Sequence, residues 1–139
     1  MKLCNDTVTV FNARVDPNTG GNVWRPTVIT GASWWATDAS TVDSSKGGLV
    51  AANKATVRIP LEANTGGKAY TDPASYASAA DVSGLWTLTG GDIVVKAAVE
   101  GSDWTPARLK AAYADCVVIL GVTDNRRAPR APHWRITAT

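Results

Sequence analysis

The chain's only histidine, His133, lies in a run that also holds Arg126, Arg127, Arg130, Trp134 and Arg135, read as VTDNRRAPRAPHWRIT. Residues of these types support three kinds of chemistry. An imidazole can serve as a general base, guanidinium groups can neutralise phosphates while an indole stacks a base, and the same arginines can pair with carboxylates of a second subunit. General-base chemistry would need a nucleophile and an orienting acid beside His133. No nucleophile elbow is present, and neither Cys4 nor Cys116 lies in a catalytic motif. Asp16, Asp38, Asp43, Asp72, Asp81 and Asp92 are scattered singly through turn-like stretches, where aspartate usually bonds local backbone. No acidic cluster has metal-ligand spacing and the calcium-loop pattern is missing. A two-carboxylate hydrolase assembled in space would leave no trace in sequence. The expectation is no catalytic residue, no cofactor and no metal site.

Charge sharpens the choice between the other two. Of fourteen Lys and Arg and twelve Asp and Glu, four arginines and no acid lie beyond residue 124. The body is slightly acidic and the C-terminal segment basic, whereas a polyanion binder usually spreads positive charge over a face. Prolines 129 and 132 cannot donate to a strand ladder, so they divide the segment into a strand end near Thr123, an arginine-bearing connector and a last strand from about His133. Arg126, Arg127 and Arg130 are expected to project and Trp134 to pack. Trp34 and Trp35 are adjacent, so on a strand they take opposite faces. Arg126, Arg127, Arg130, His133, Arg135, Trp34 and Trp35 are therefore the candidate interface residues.

The elements that must carry these side chains are mostly strands. A length of 139 residues suits a single domain spanning 1–139. β-favouring runs separated by turn residues recur at TVTVFNARV, VWRPTVITGASWWAT, ATVRIPLE, CVVILGVTD and HWRITAT, and LWTLTGGDIVVKAAV reads as a hairpin. Pro26 limits its strand to an edge or a bulge. One short α-helix is signalled at about 105–114, with Thr105 as cap and Pro106 in the first position. DPASYASAAD reads either as a further turn of helix capped by Asp72 or as an irregular loop. The polar, small-residue stretch at about 38–53 is expected to be a long inserted loop, either a mobile surface loop or one in which Asp43, Lys46, Leu49 and Val50 reach a neighbour or a channel. The Thr-Gly-Gly turns at 19, 65 and 89 lack the strand and helix context of a phosphate cradle. The fold class expected is mainly β: a small β-barrel or β-sandwich. No signal peptide or membrane-spanning run is expected.

In order, TVTVFNARVD, TVITGASWW, VRIP, WTLTGGDIVVKAAV and VTDNRRAPRAPHWRIT resemble short proteins encoded among the head and neck genes of tailed bacteriophages. The resemblance spans nearly the whole chain. It implies a structural virion protein, a minor capsid or head-to-tail connector component, and within the neck it is most similar to head-closure, or stopper, subunits. The expectations that come with it are a closed homo-oligomeric ring of six or twelve copies, contacts with portal, adaptor and tail proteins, assembly in the host cytoplasm, and non-specific contact with packaged DNA. Adaptor, tail-terminator and capsid-decoration roles are the alternatives within that group. A nucleic-acid-binding module using the basic segment is the alternative outside it.

Overall fold

The computed structural model describes residues 5–43, 48–101 and 103–139, and for 37–43 and 48–53 the backbone alone. Eight strands and two helices follow in chain order: β1 (Asp6–Val15), β2 (Asn22–Asp43), β3 (Gly48–Pro60), β4 (Ala69–Tyr70), α1 (Pro73–Ser78), β5 (Leu85–Trp86), β6 (Ile93–Val95), α2 (Pro106–Ala112), β7 (Cys116–Asn125) and β8 (His133–Ala138). Six of them form an antiparallel, sandwich-like body of two sheets. The first sheet holds β1, β6 and the near halves of β2 and β7, and the second holds β3, β8 and the far halves. Pairing therefore runs β1-β2-β3-β8-β7-β6 and returns from β6 to β1. Strands that pass between sheets do so at bends or bulges, and both crossing points here carry a glycine. On β2 the rungs to β1 end at Ala32 and those to β3 begin at Ser33, beside Gly31 at φ 89°. On β7 the register shifts between Ile119 and Gly121.

Strand β1 is buried on both faces, which explains its dense apolar pattern. Val8 and Val10 enter the main core between the sheets, with Ile29, Val57, Ile59, Trp86, Leu88, Ile119, Trp134 and Ile136. Phe11 turns outward into a smaller core that α2 covers with Leu109, and Trp104 packs there too. Between them Thr9 donates to the Ala97 carbonyl at 2.6 Å and accepts from Val99 N–H at 2.9 Å, fixing the approach to α2. Thr105 caps α2 by accepting from Arg108 N–H at 3.3 Å. Asp72 caps α1 by accepting from Ser75 N–H at 3.0 Å, so DPASYASAAD holds a helix at Pro73–Ser78, and the described residues have two helices instead of one.

Pro26 is tolerated inside a long strand by its parity. Thr30 exchanges backbone bonds with Asn64 on the side away from β1, and Pro26, four residues earlier, faces the same way. The missing N–H falls off the ladder, and the Pro26 carbonyl accepts from Lys68 Nζ at 2.7 Å.

Two expectations are corrected. LWTLTGGDIVVKAAV is no hairpin: β5 pairs in parallel with β4, and β6 pairs with β1 and β7. The residues between β3 and β6 instead send Trp86 and Leu88 into the core. The supposed inserted loop at 38–53 is a continuation of the β2–β3 ladder, with rungs from Asp38–Asn53 to Asp43–Gly48. Asp43, Leu49 and Val50 therefore lie on paired strands, and Lys46 lies outside the described residues. A ribbon that leaves the body has no core to face, so its sequence has no alternation and reads as loop.

Candidate functional site

The basic segment joins β7 to β8 at one end of the body, and the structure separates its arginines into three situations. Arg126 folds back: its Nε and Nη2 grip Asp124 at 2.9, 3.0 and 2.6 Å, with Arg126 N–H also donating to Asp124 at 3.0 Å. Its guanidinium carbon lies 4.9 Å from the Tyr70 ring centre and 5.5 Å from that of Trp134. Arg127 and Arg130 are exposed on the connector. Arg135 is exposed on β8, on the outward face of the second sheet. The expectation that Arg126 projects with Arg127 and Arg130 is therefore corrected: a carboxylate two residues away and an aromatic platform beneath hold it down. The guanidinium of Arg126 draws the Asp124 carboxyl down to about 2.

Beneath Arg126 sit three rings in mutual contact. Tyr70 and Trp86 centres are 5.2 Å apart, Tyr70 and Trp134 4.7 Å, and Trp86 and Trp134 5.2 Å. Asp124, Arg126 and Arg127 line an open hollow of about 400 Å³ above them. The exposed ion pair and the stacked cation are each worth under about 1 kcal/mol. Arg126→Ala is thus expected to lower stability by about 1 kcal/mol, while Arg127→Ala and Arg130→Ala change it by less than about 0.5; parallel urea titrations check this.

His133 is half-buried and held from both sides. Its Nδ1 lies 2.7 Å from the Ala131 carbonyl and its Nε2 3.3 Å from Asn125 Nδ2, which suits one neutral tautomer with the proton on Nδ1. Ala131 is left-handed at φ 48°, and the Pro132 carbonyl accepts from Leu61 N–H at 3.1 Å. The connector is a built turn, and His133 is one of its fastenings with no nucleophile beside it among the hydrogen bonds described.

The two adjacent tryptophans take opposite faces. Trp34 packs against the main core and its N–H donates to Asp6 at 2.8 Å, whereas Trp35 is 69 % exposed. Trp24 and Trp104 pack on the smaller core, Trp86 and Trp134 in the main one. Trp35 alone of the six faces no core.

A buried titratable group escaped the sequence reading. Asp92, in one of the turn-like stretches, is 2 % exposed. It accepts from Asn12 Nδ2 at 2.9 Å and from Ala13 N–H at 3.2 Å, and Asn12 also bonds the Thr87 backbone in both directions. Burial pushes its carboxyl up to about 6 against the pull of these donors. A folded value above the unfolded one means the fold favours the protonated acid. Its contribution is full below about pH 4, is lost as pH rises through 6 and is level above that. Wild type should therefore lose about 2–3 kcal/mol between pH 4 and 7 relative to Asp92→Asn, read from denaturant titrations of both proteins at each pH. The group clamps β1 to the turn before β6, and its environment is structural.

Among the described residues no group of three or more His, Cys, Asp or Glu is placed to hold a metal ion, and no helix is long and apolar enough to cross a membrane. Cys116 is half-buried, which pushes its thiol up; Cys4 lies outside the described residues. A protein-family model, described as a family of unknown function (DUF6751), matches residues 3–139. No curated protein and no solved structure matches the chain.

Proposed function

Given that the chain belongs to the DUF6751 family, whose function is unknown, we propose that it is a structural protein of a tailed-phage virion. In this reading it is a head-closure subunit of the neck, joins portal and adaptor to the tail as a ring of six or twelve copies, helps retain packaged DNA, and is assembled in the host cytoplasm. The motif order given above supports the phage assignment.

The observation that carries the assembly reading is the two-stranded arm. Beyond Ala36 and Ala55, β2 and β3 continue with only each other as partners among the described residues. Seven residues on each strand extend it about 20 Å past the rungs shared with the body. A lone two-stranded ribbon is marginal in water and exposes unpaired edges on both sides. Such an arm is stabilised by lying on another subunit, and in a ring the contact is head to tail, arm on one side and its seat on the other. Arg127 and Arg130, exposed and outside the packed turn, are the connector residues left to meet a neighbour.

Co-expression with the portal, adaptor and tail proteins encoded beside the gene tests the assignment. Co-purification with one of them is expected. Absence from every such complex, and from purified virions, would remove the neck reading and leave an oligomer of another kind.

A further inference from the structure

The outward face of the second sheet gathers Trp35 and Arg135, both candidate interface residues from the sequence, with further exposed cations. Register places Ser33, Arg58, Arg135 and Thr123 in one row across β2, β3, β8 and β7, and Trp35, Thr56, Thr137 and Gly121 in the next. Lys54 follows one rung beyond Thr56 on the same face of β3. Trp35, Lys54, Arg58, Arg135, Thr123 and Thr137 are all exposed. Like charges directly opposite on neighbouring strands cost a sheet stability, and neither Arg58 nor Arg135 meets a carboxylate among the described residues. Trp35 stands diagonal to both Arg58 and Lys54, within reach of long side chains.

We propose that this face binds single-stranded nucleic acid, with Trp35 stacking a base and Arg58, Arg135 and Lys54 following the phosphates. A flat sheet with an open indole beside cations suits unpaired bases, whose ring faces are free, and not a duplex, whose ring faces are already stacked. A second copy of the chain offers less complementarity. Three of its carboxylates are mixed with bases: Asp16 shares a cleft with Arg14 and Arg25, Asp81 lies in the field of the same two arginines, and Asp124 is gripped by Arg126. The exposed threonines add donors for phosphate or sugar oxygens. Trp35, Arg58 and Arg135 lie on the body and Lys54 at the root of the arm, so the site's presence does not depend on assembly.

Fluorescence anisotropy of the full chain with a 5′-fluorescein 20-mer of thymidine, between 50 and 200 mM salt, is the test. Binding is expected to weaken about tenfold in Trp35→Ala and to be largely kept in Trp35→Phe, which preserves a stacking ring. The Arg58→Ala, Arg135→Ala double variant should lower the salt slope by about 1.4, the share of two single-strand phosphates. All three positions are exposed, so melting temperatures should stay close to wild type. Four outcomes would overturn the proposal. They are no binding at 50 mM salt, affinity indifferent to these variants, equal binding of a 20-bp duplex without a Trp35 effect, or a changed oligomeric state in place of changed affinity.

Discussion

Trp134→Ala is expected to lower the unfolding free energy by about 3–5 kcal/mol, the largest loss from any single substitution considered for this protein. Trp134 is 5 % exposed and touches both Tyr70 and Trp86. Across β3 it pairs with Ile59 and across β7 with Asp124, so it joins the second sheet to β5, which carries Trp86. Truncation leaves a void between rigid strands that cannot collapse, and it also removes one of the two rings, Tyr70 and Trp134, that the Arg126 guanidinium stacks over. Trp134→Phe should cost much less, about 1–2 kcal/mol. The indole Nε1–H is buried with no hydrogen-bond partner among the described residues, so the smaller ring gives up volume while shedding an unpaired donor. Urea titration of the two variants separates these contributions. Equal losses would mean that the ring's volume is not what the core depends on.

Much of this centre was legible in the sequence. The strand at HWRITAT with Trp134 packed was expected from the sequence and is β8. The opposed faces of Trp34 and Trp35 follow from adjacency alone, and α2 was announced by Thr105 and Pro106. What failed did so for physical reasons. The β2–β3 arm lacks a core-facing side, so no alternation marks it. Arg126 was misread as projecting because charge counts ignore local geometry: Asp124, two residues back, and Tyr70, distant in sequence, meet it only when β7 turns. Asp92 resembled any other turn aspartate, and its burial depends on Asn12 arriving from β1. Arg58 could be read as facing away from Val57 and Ile59, but not as the neighbour of Arg135, which is 77 positions away.

Shortening the arm is the second large effect. Replacing residues 38–53 with Asn-Gly joins Thr37 to Lys54 by a two-residue turn of the kind that closes tight hairpins. Every rung to β1 and β8 is retained, since those strands pair no further than Ala32 and Ala55. The body should therefore unfold cooperatively at nearly the wild-type temperature. Assembly should be lost, because the arm is the proposed bridge to the neighbour. A shortened chain that unfolds on purification would instead mean that the arm supports its own body, and circular dichroism melting distinguishes the two.

The central claim is that this chain works as a subunit of a closed ring. Native mass spectrometry of the 139-residue chain, run beside the shortened-arm variant over a range of concentrations, tests it. One dominant species of six or twelve copies is expected for the 139-residue chain and a monomer for the variant. A full chain that stays monomeric throughout, or a variant that assembles as well as the parent, would contradict it.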